Sequence, residues 1–199
     1  MRKPTRGGEL TGLNPFFNVF THDDTRDITF MGEVSEGSVS EFFAQFRTLD
    51  SIPGDIRVNM SSIGGDVDAG WAMHDLIRCA NNKVTIVGYG YLYSMASLIL
   101  QAADLRLVTP NCRIMFHNGS VDLGDQDPER LRQAAQAACT DTLHYVRTIA
   151  NRSGVSVRRL RRMTSRETYL NAIQAVNLGL VDQIIQMKEL GIKKATRRK

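Results

Sequence analysis

A serine hydroxyl is a poor nucleophile near neutral pH. To cleave an acyl bond it needs a base, a group that orients the base, and donors for an oxyanion. Ser94 stands in the stretch GYGYLYSMASLIL, where a β-like run gives way to an apolar segment with helical spacing. Two readings fit it: a helix cap worth about 1 kcal/mol, or a nucleophile turned into a cleft. The elbow form G-x-S-x-G is absent. Of the four histidines, His117 ends the apolar run RIMF. Strand ends border the ligand crevice in open α/β sheets, so His117 is either a general base or a satisfied edge histidine. His22 lies beside Asp23 and Asp24, while His74 and His144 fall within amphipathic segments, where packing or solvent is the expected role. Gly64-Gly65 falls between a strand pattern and a helix pattern. Its unhindered amides could face a developing negative charge, although such pairs are also ordinary turns. The amide of Met95 would add a second donor.

Positioning these groups requires a framework. DITFMGEV (27–34), DIRVNM (55–60) and KVTIVGYG (83–90) read as strands, with short strands at 105–110, 113–119 and 180–186. Ser38 and Glu41 have the capping-box spacing ahead of Val39, Phe42, Phe43, Phe46 and Leu49 at helical intervals. After the turn-like SSIGGD, a helix is expected from Asp66, another from near Ser94, and a short one over 171–179. Asp127-Pro128-Glu129 is a strong helix start, and nothing interrupts that helix before Gly154. Its apolar stripe is incomplete, so it should project from a small domain and be covered by a partner. The alternation of strand and helix predicts an α/β fold with a largely parallel sheet. Residues 1–26 read as an irregular or axial arm, 27–186 as one domain, and 187–199 as a basic tail.

At 199 residues, 42% apolar and 23% charged, the chain has the size and composition of one soluble domain. No apolar run is long enough to span a membrane, and the first twenty residues are too polar for a signal-peptide core. The three cysteines have no disulfide-framework or metal-ligand spacing, so reduced thiols and no metal are expected. The net charge of +4 is concentrated in VSVRRLRRM and KKATRRK. These runs read as solvated or disordered surface, and no nucleic-acid module accompanies them.

Taken in order, SSIGGDVDAGWAMHDLI, GYLYSMASLIL, P-x-x-RIMFH, the long helix and ETYLNAIQAVNLGLVDQII resemble the proteolytic subunit of the Clp protease, over roughly residues 27–186. That resemblance implies repeated strand–strand–helix units, as in crotonases, with a handle helix at about 127–153. It also implies Ser94 as nucleophile, His117 as general base, and Gly64 and Met95 as amide donors. The assembly implied is a stack of two seven-subunit rings, fed with unfolded polypeptide by an AAA+ unfoldase. ATP would be consumed by that partner, with no cofactor on this chain, which has no Walker motif. A cytoplasmic location, or an organelle stroma or matrix, is expected.

The chain departs from the family pattern in three places. Glu167 stands where the family carries an aspartate as third triad member; glutamate can fill that role but is one methylene longer. Asp182 and Asp104 are other acids, off the motif position. Ile63 replaces a usual proline. Arg57 and Asn59 replace tyrosines that help form the unfoldase docking pockets. These departures keep open a divergent or structural subunit of a mixed ring. A crotonase-type acyl-CoA enzyme and a Ser–Lys dyad using Lys83 are further alternatives.

Overall fold

Apolar runs rich in Val, Ile and Phe become strands, and the segments of helical periodicity between them pack over the sheet. The computed structural model describes residues 18–22, 25–119 and 127–186; the expected basic tail and most of the expected arm lie outside them. The strands are β1 (Asn18–His22), β2 (Asp27–Val34), β3 (Ile56–Gly65), β4 (Val84–Tyr93), β5 (Leu105–Val108), β6 (Arg113–Phe116), β7 (Thr168–Asn171) and β8 (Gln183–Ile184). They lie in the order β1-β2-β3-β4-β5-β8, with β6 and β7 branching from β4. Only β1–β2 and β6–β7 are antiparallel; the other pairings, from β2–β3 to β5–β8, are parallel. The expected α/β architecture is present.

Helices α1 (Glu36–Asp50), α2 (Val67–Arg78) and α3 (Met95–Ile99), the last prolonged by a 3-10 turn to Ala102, follow the first strands. Their apolar faces bury Phe42, Phe46, Met73 and Leu98 against Phe30, Met60 and Ile86. Phe42 packs edge-on to Phe30 and stacks on Phe46. The long helix α4 (Pro128–Ser153) is capped by Asp127, whose carboxylate accepts from the amides of Glu129 and Arg130. At 26 residues it is about 39 Å long. Its buried residues are Tyr145, Val146 and Ile149, all in its C-terminal half, so its first turns project. Among the described residues no helix is long and apolar enough to cross a membrane.

Several boundaries differ from the sequence expectation. The capping box of α1 is formed by Ser35 and Ser38 rather than Ser38 and Glu41, because each serine hydroxyl accepts the other's amide, at 3.3 and 3.0 Å. Ser61–Gly65 reads as a turn by composition, yet it continues β3, since β2 and β4 flank it on both sides; pairing outweighs local preference there. Residues 18–22, expected to be irregular, form β1 against β2. The basic run at 155–163 is not loose surface. Val157–Thr164 is helix α5, capped by Ser156, with Leu160 and Thr164 buried and its arginines outward. Strand β7, unexpected from its sequence, precedes the short α6 (Ala172–Asn177), and the expected strand at 180–186 shrinks to the two residues of β8.

One buried ion pair fastens β8 to β5. Arg106 is 4% exposed. It donates to Asp182 through Nη2 (2.5 Å) and Nε (3.1 Å), and to Gln101 Oε1 through Nη1 (2.7 Å). Burial pushes the Asp182 carboxyl up, but the hydrogen bonds from Arg106 outweigh it and hold the group below its ordinary value. Removing one partner of such a pair leaves a charge uncompensated, so Arg106→Ala should cost about 3–5 kcal/mol at pH 7 in urea denaturation. A carboxyl with a lowered folded pKa contributes stability above its unfolded pKa and loses it as pH falls through the folded one. The gap between variant and wild type should therefore narrow below about pH 4.

Candidate active site

Strand β4 forks. Its first part pairs with β5 through Thr85–Gly88, and its last residues, Tyr91–Tyr93, pair with β6. Ser94 follows immediately at the mouth of the fork, with φ 53° and ψ −123°. Such backbone costs on the order of 1–3 kcal/mol and persists where its surroundings over-determine it. Here they do. The Ser94 amide donates to Met115 O at 3.0 Å. Its carbonyl accepts from the Ser97 amide (2.9 Å), the Ser97 hydroxyl (2.6 Å) and the Tyr145 hydroxyl (3.3 Å). Ser97 and Tyr145 are themselves joined at 2.7 Å.

Held this way, Ser94 is the N-cap residue of α3 by position, but its side chain makes no capping bond. Its Oγ lies 2.7 Å from His117 Nε2. Both residues are half-buried. With the ring proton on Nδ1, Nε2 accepts from the serine hydroxyl, the arrangement a general base requires.

Strand β7 runs antiparallel to β6, with Met115 opposite Tyr169 and Phe116 opposite Thr168. The pairing ends there: His117 directly follows β6 and Glu167 directly precedes β7. Glu167 has φ 49°, and its exposed carboxylate accepts from the Tyr169 hydroxyl at 2.6 Å. Among the described residues no hydrogen bond joins Glu167 to His117. The two other acids are committed elsewhere: Asp182 to Arg106, and Asp104 to the Val84 amide at 2.8 Å. Lys83 lies before β4 and Ser94 after it, so the length of that strand separates the pair a Ser–Lys dyad would need.

Gly64 packs directly under the serine. A Cβ there would lie 2.7 Å from Ser94 Cβ and 2.9 Å from Met95 N, so the glycine pair and the Met95 amide share one small space. Met95 opens α3, and first-turn amides have no acceptor within their own helix. The Gly64 amide, however, donates to Ser62 Oγ at 3.1 Å. Gly65 also borders the cleft.

The cleft has a volume of about 330 Å³ and is lined by Val67, Trp71, Met95 and Met115 and by Asp141 and Tyr145 of α4. Sequence reading missed Ser97, Tyr145, Trp71 and Asp141. The available signals were a serine inside an otherwise apolar helix and the helical spacing of 138, 141, 142 and 145 along α4. Cys112 is no competing nucleophile, since burial pushes its thiol up to about 12; Cys79 and Cys139 are exposed free thiols. Among the described residues no group of three or more His, Cys, Asp or Glu could hold a metal ion.

Comparison with known proteins gives one consistent result. Residues 17–188 match the family model described as Clp protease. The chain is 29% identical to the ATP-dependent Clp protease proteolytic subunit 2 of Treponema pallidum (strain Nichols), over 92% of each chain. It is 31% identical to proteolytic subunit 1 of Frankia casuarinae, over 94% of this chain and 87% of that one. The fold is similar to a ClpP1 mutant from Listeria monocytogenes, with a TM-score of 0.77 at 28% identity, over 83% of this chain and 94% of that one.

Proposed function

The chain belongs to the Clp protease family, and on that premise we propose that it is a serine endopeptidase subunit with Ser94 as nucleophile. The observation that carries this reading is the 2.7 Å approach of His117 Nε2 to Ser94 Oγ. His117 takes the hydroxyl proton as Oγ attacks the scissile carbonyl carbon, and the C=O π pair moves onto oxygen. The tetrahedral oxyanion rests on the Met95 amide and on the glycine pair. Within that pair Gly65 is the favoured donor while the Gly64 amide is bound to Ser62 Oγ; a change of the Ser62 side-chain rotamer about χ1 would free Gly64. The imidazolium returns its proton to the leaving amine, giving an acyl-enzyme. Water then attacks the ester, His117 again accepts the proton, and Ser94 is regenerated. Each step uses groups of this chain and water alone.

Glu167 is our candidate for the orienting acid. Its place directly before β7, as His117 directly follows the paired strand β6, supports that role, which requires its carboxylate to exchange the Tyr169 hydroxyl for the imidazole Nδ1–H. Stacked rings of this chain or paralogous subunits, fed by an AAA+ unfoldase, complete the proposal. The absence of buried residues in the first half of α4 supports a partner on the handle. Where the family docks its unfoldase, Arg57 reaches Asp27 at 3.8 Å and Asn59 accepts from Tyr89 at 3.4 Å. That polar face favours a mixed ring in which another subunit supplies the apolar docking pockets.

Labelling of the intact protein with a fluorophosphonate probe tests the nucleophile. Wild type should form a stoichiometric adduct that peptide mapping places on Ser94, and Ser94→Ala should form none. An unlabelled wild type, or an adduct surviving in Ser94→Ala, would remove the peptidase assignment and leave a structural subunit.

A further inference from the structure

Beyond Ser94 and His117, the cleft is lined by apolar residues, by Thr142 and Tyr145, and by one carboxylate residue. Val67, Trp71, Met95 and Met115 supply hydrocarbon and aromatic surface, while α4 contributes the carboxylate residue Asp141. Asp141 shares the cleft-facing side of the helix with Ala138, Thr142 and Tyr145, the spacing of one helical face. Most acidic side chains near the core have a partner: Asp50 with Asn81 and Asn82, Asp104 with Val84, Asp182 with Arg106. Asp141 has no hydrogen-bond or ion-pair partner among the described residues. Arg161 of α5 lines an adjoining groove that shares Gly119, Ala138 and Thr142 with the cleft but is not lined by Asp141.

An unpaired carboxylate at the edge of an apolar slot favours a ligand with an apolar stem and a cationic end. Lysine and arginine have that form, since they bury their methylenes and keep the charged head near water. Trp71 adds an aromatic face that attracts cations.

Building on the peptidase reading above, we propose that Asp141 is a specificity-determining residue and that this cleft receives a lysine or arginine side chain on the acyl side of the scissile bond. The stem lies against Val67, Trp71 and Met95, and the cation meets Asp141. Because Asp141 is exposed, the attraction is screened and should weaken with salt.

The test uses fluorogenic peptides that differ only in the residue before the cleaved bond, after fluorophosphonate labelling has established that Ser94 reacts. At low ionic strength, kcat/KM for lysine or arginine should exceed that for leucine or methionine by about 10-fold, corresponding to about 1.4 kcal/mol. In Asp141→Asn this ratio should fall towards 1, and in Asp141→Lys it should fall below 1, in favour of leucine or methionine. A labelled wild type that prefers leucine or methionine, with the ratio unchanged in Asp141→Asn, would overturn the proposal while leaving the peptidase intact. An unlabelled wild type would overturn both.

Discussion

Alanine at His117 is expected to lower kcat/KM on a short peptide by on the order of 10⁴- to 10⁶-fold. The expectation follows from what the imidazole touches. Its Nε2 lies 2.7 Å from Ser94 Oγ, and in the proposed mechanism its loss leaves the hydroxyl without a base at the moment of attack and the leaving amine without an acid. Ser94→Ala should cost about the same, and the double variant little more, because the two groups act as a unit. In the proposed role, in which Glu167 leaves the Tyr169 hydroxyl for the imidazole, Glu167→Gln should be milder, on the order of 10²- to 10⁴-fold, since an amide there cannot stabilise the charged imidazole. Single-turnover assays on an activated ester and on an amide would separate the roles. Loss of the base should slow both, while loss of the proton donor should weigh most on the amide, whose leaving group must be protonated. His117→Ala retaining activity within 10-fold of wild type would place the base elsewhere.

The difference between legible and illegible parts of this site is one of interaction range. Local sequence singles out Ser94 and His117, each standing where an apolar run of strand character ends, but leaves two readings for each, and the catalytic one comes from the ordered family motifs. The long helix is plain, from Asp127-Pro128 at its start to Gly154 at its end. Strand β7 is not, because Thr168–Asn171 is short and its pairing with β6 bridges more than fifty residues of sequence. The same distance hides the contact of Tyr145 with the Ser94 carbonyl, and with it the means of holding a strained serine. Ser61 and Ser62 misled for the opposite reason. Their types favour a turn, yet both are buried in β3, where strands on either side supply the pairing. Glu167 sits between these cases: its chain position is readable, but the Tyr169 hydroxyl that occupies its carboxylate comes from a strand the sequence did not reveal.

Gly64→Ala should reduce kcat/KM by on the order of 10²- to 10³-fold while leaving the sheet formed. Gly64 has φ +87°, a region costly for any residue with a side chain. Its new Cβ would stand 2.6 Å from Tyr93 O, 2.7 Å from Ser94 Cβ and 2.9 Å from Met95 N. Two of these are backbone atoms, which no rotamer change can move aside, so β3 and the β4–α3 junction must separate. That motion displaces the nucleophile and spreads the amides around the oxyanion together. Misplacement of about 1 Å can cost 10²-fold, and loss of one donor 10²- to 10³-fold. Gly65→Ala supplies the contrast. Its Cβ would run into Val34 O, the carbonyl that accepts the Asp66 amide at 2.8 Å beside the β2–β3 ladder. The damage there falls on the sheet, so thermal stability should drop along with activity. Measuring melting temperature beside peptide hydrolysis distinguishes the two. A Gly64→Ala protein with wild-type turnover would mean that the close fit of glycine under Ser94 serves packing alone, and that the oxyanion is held by donors outside this turn.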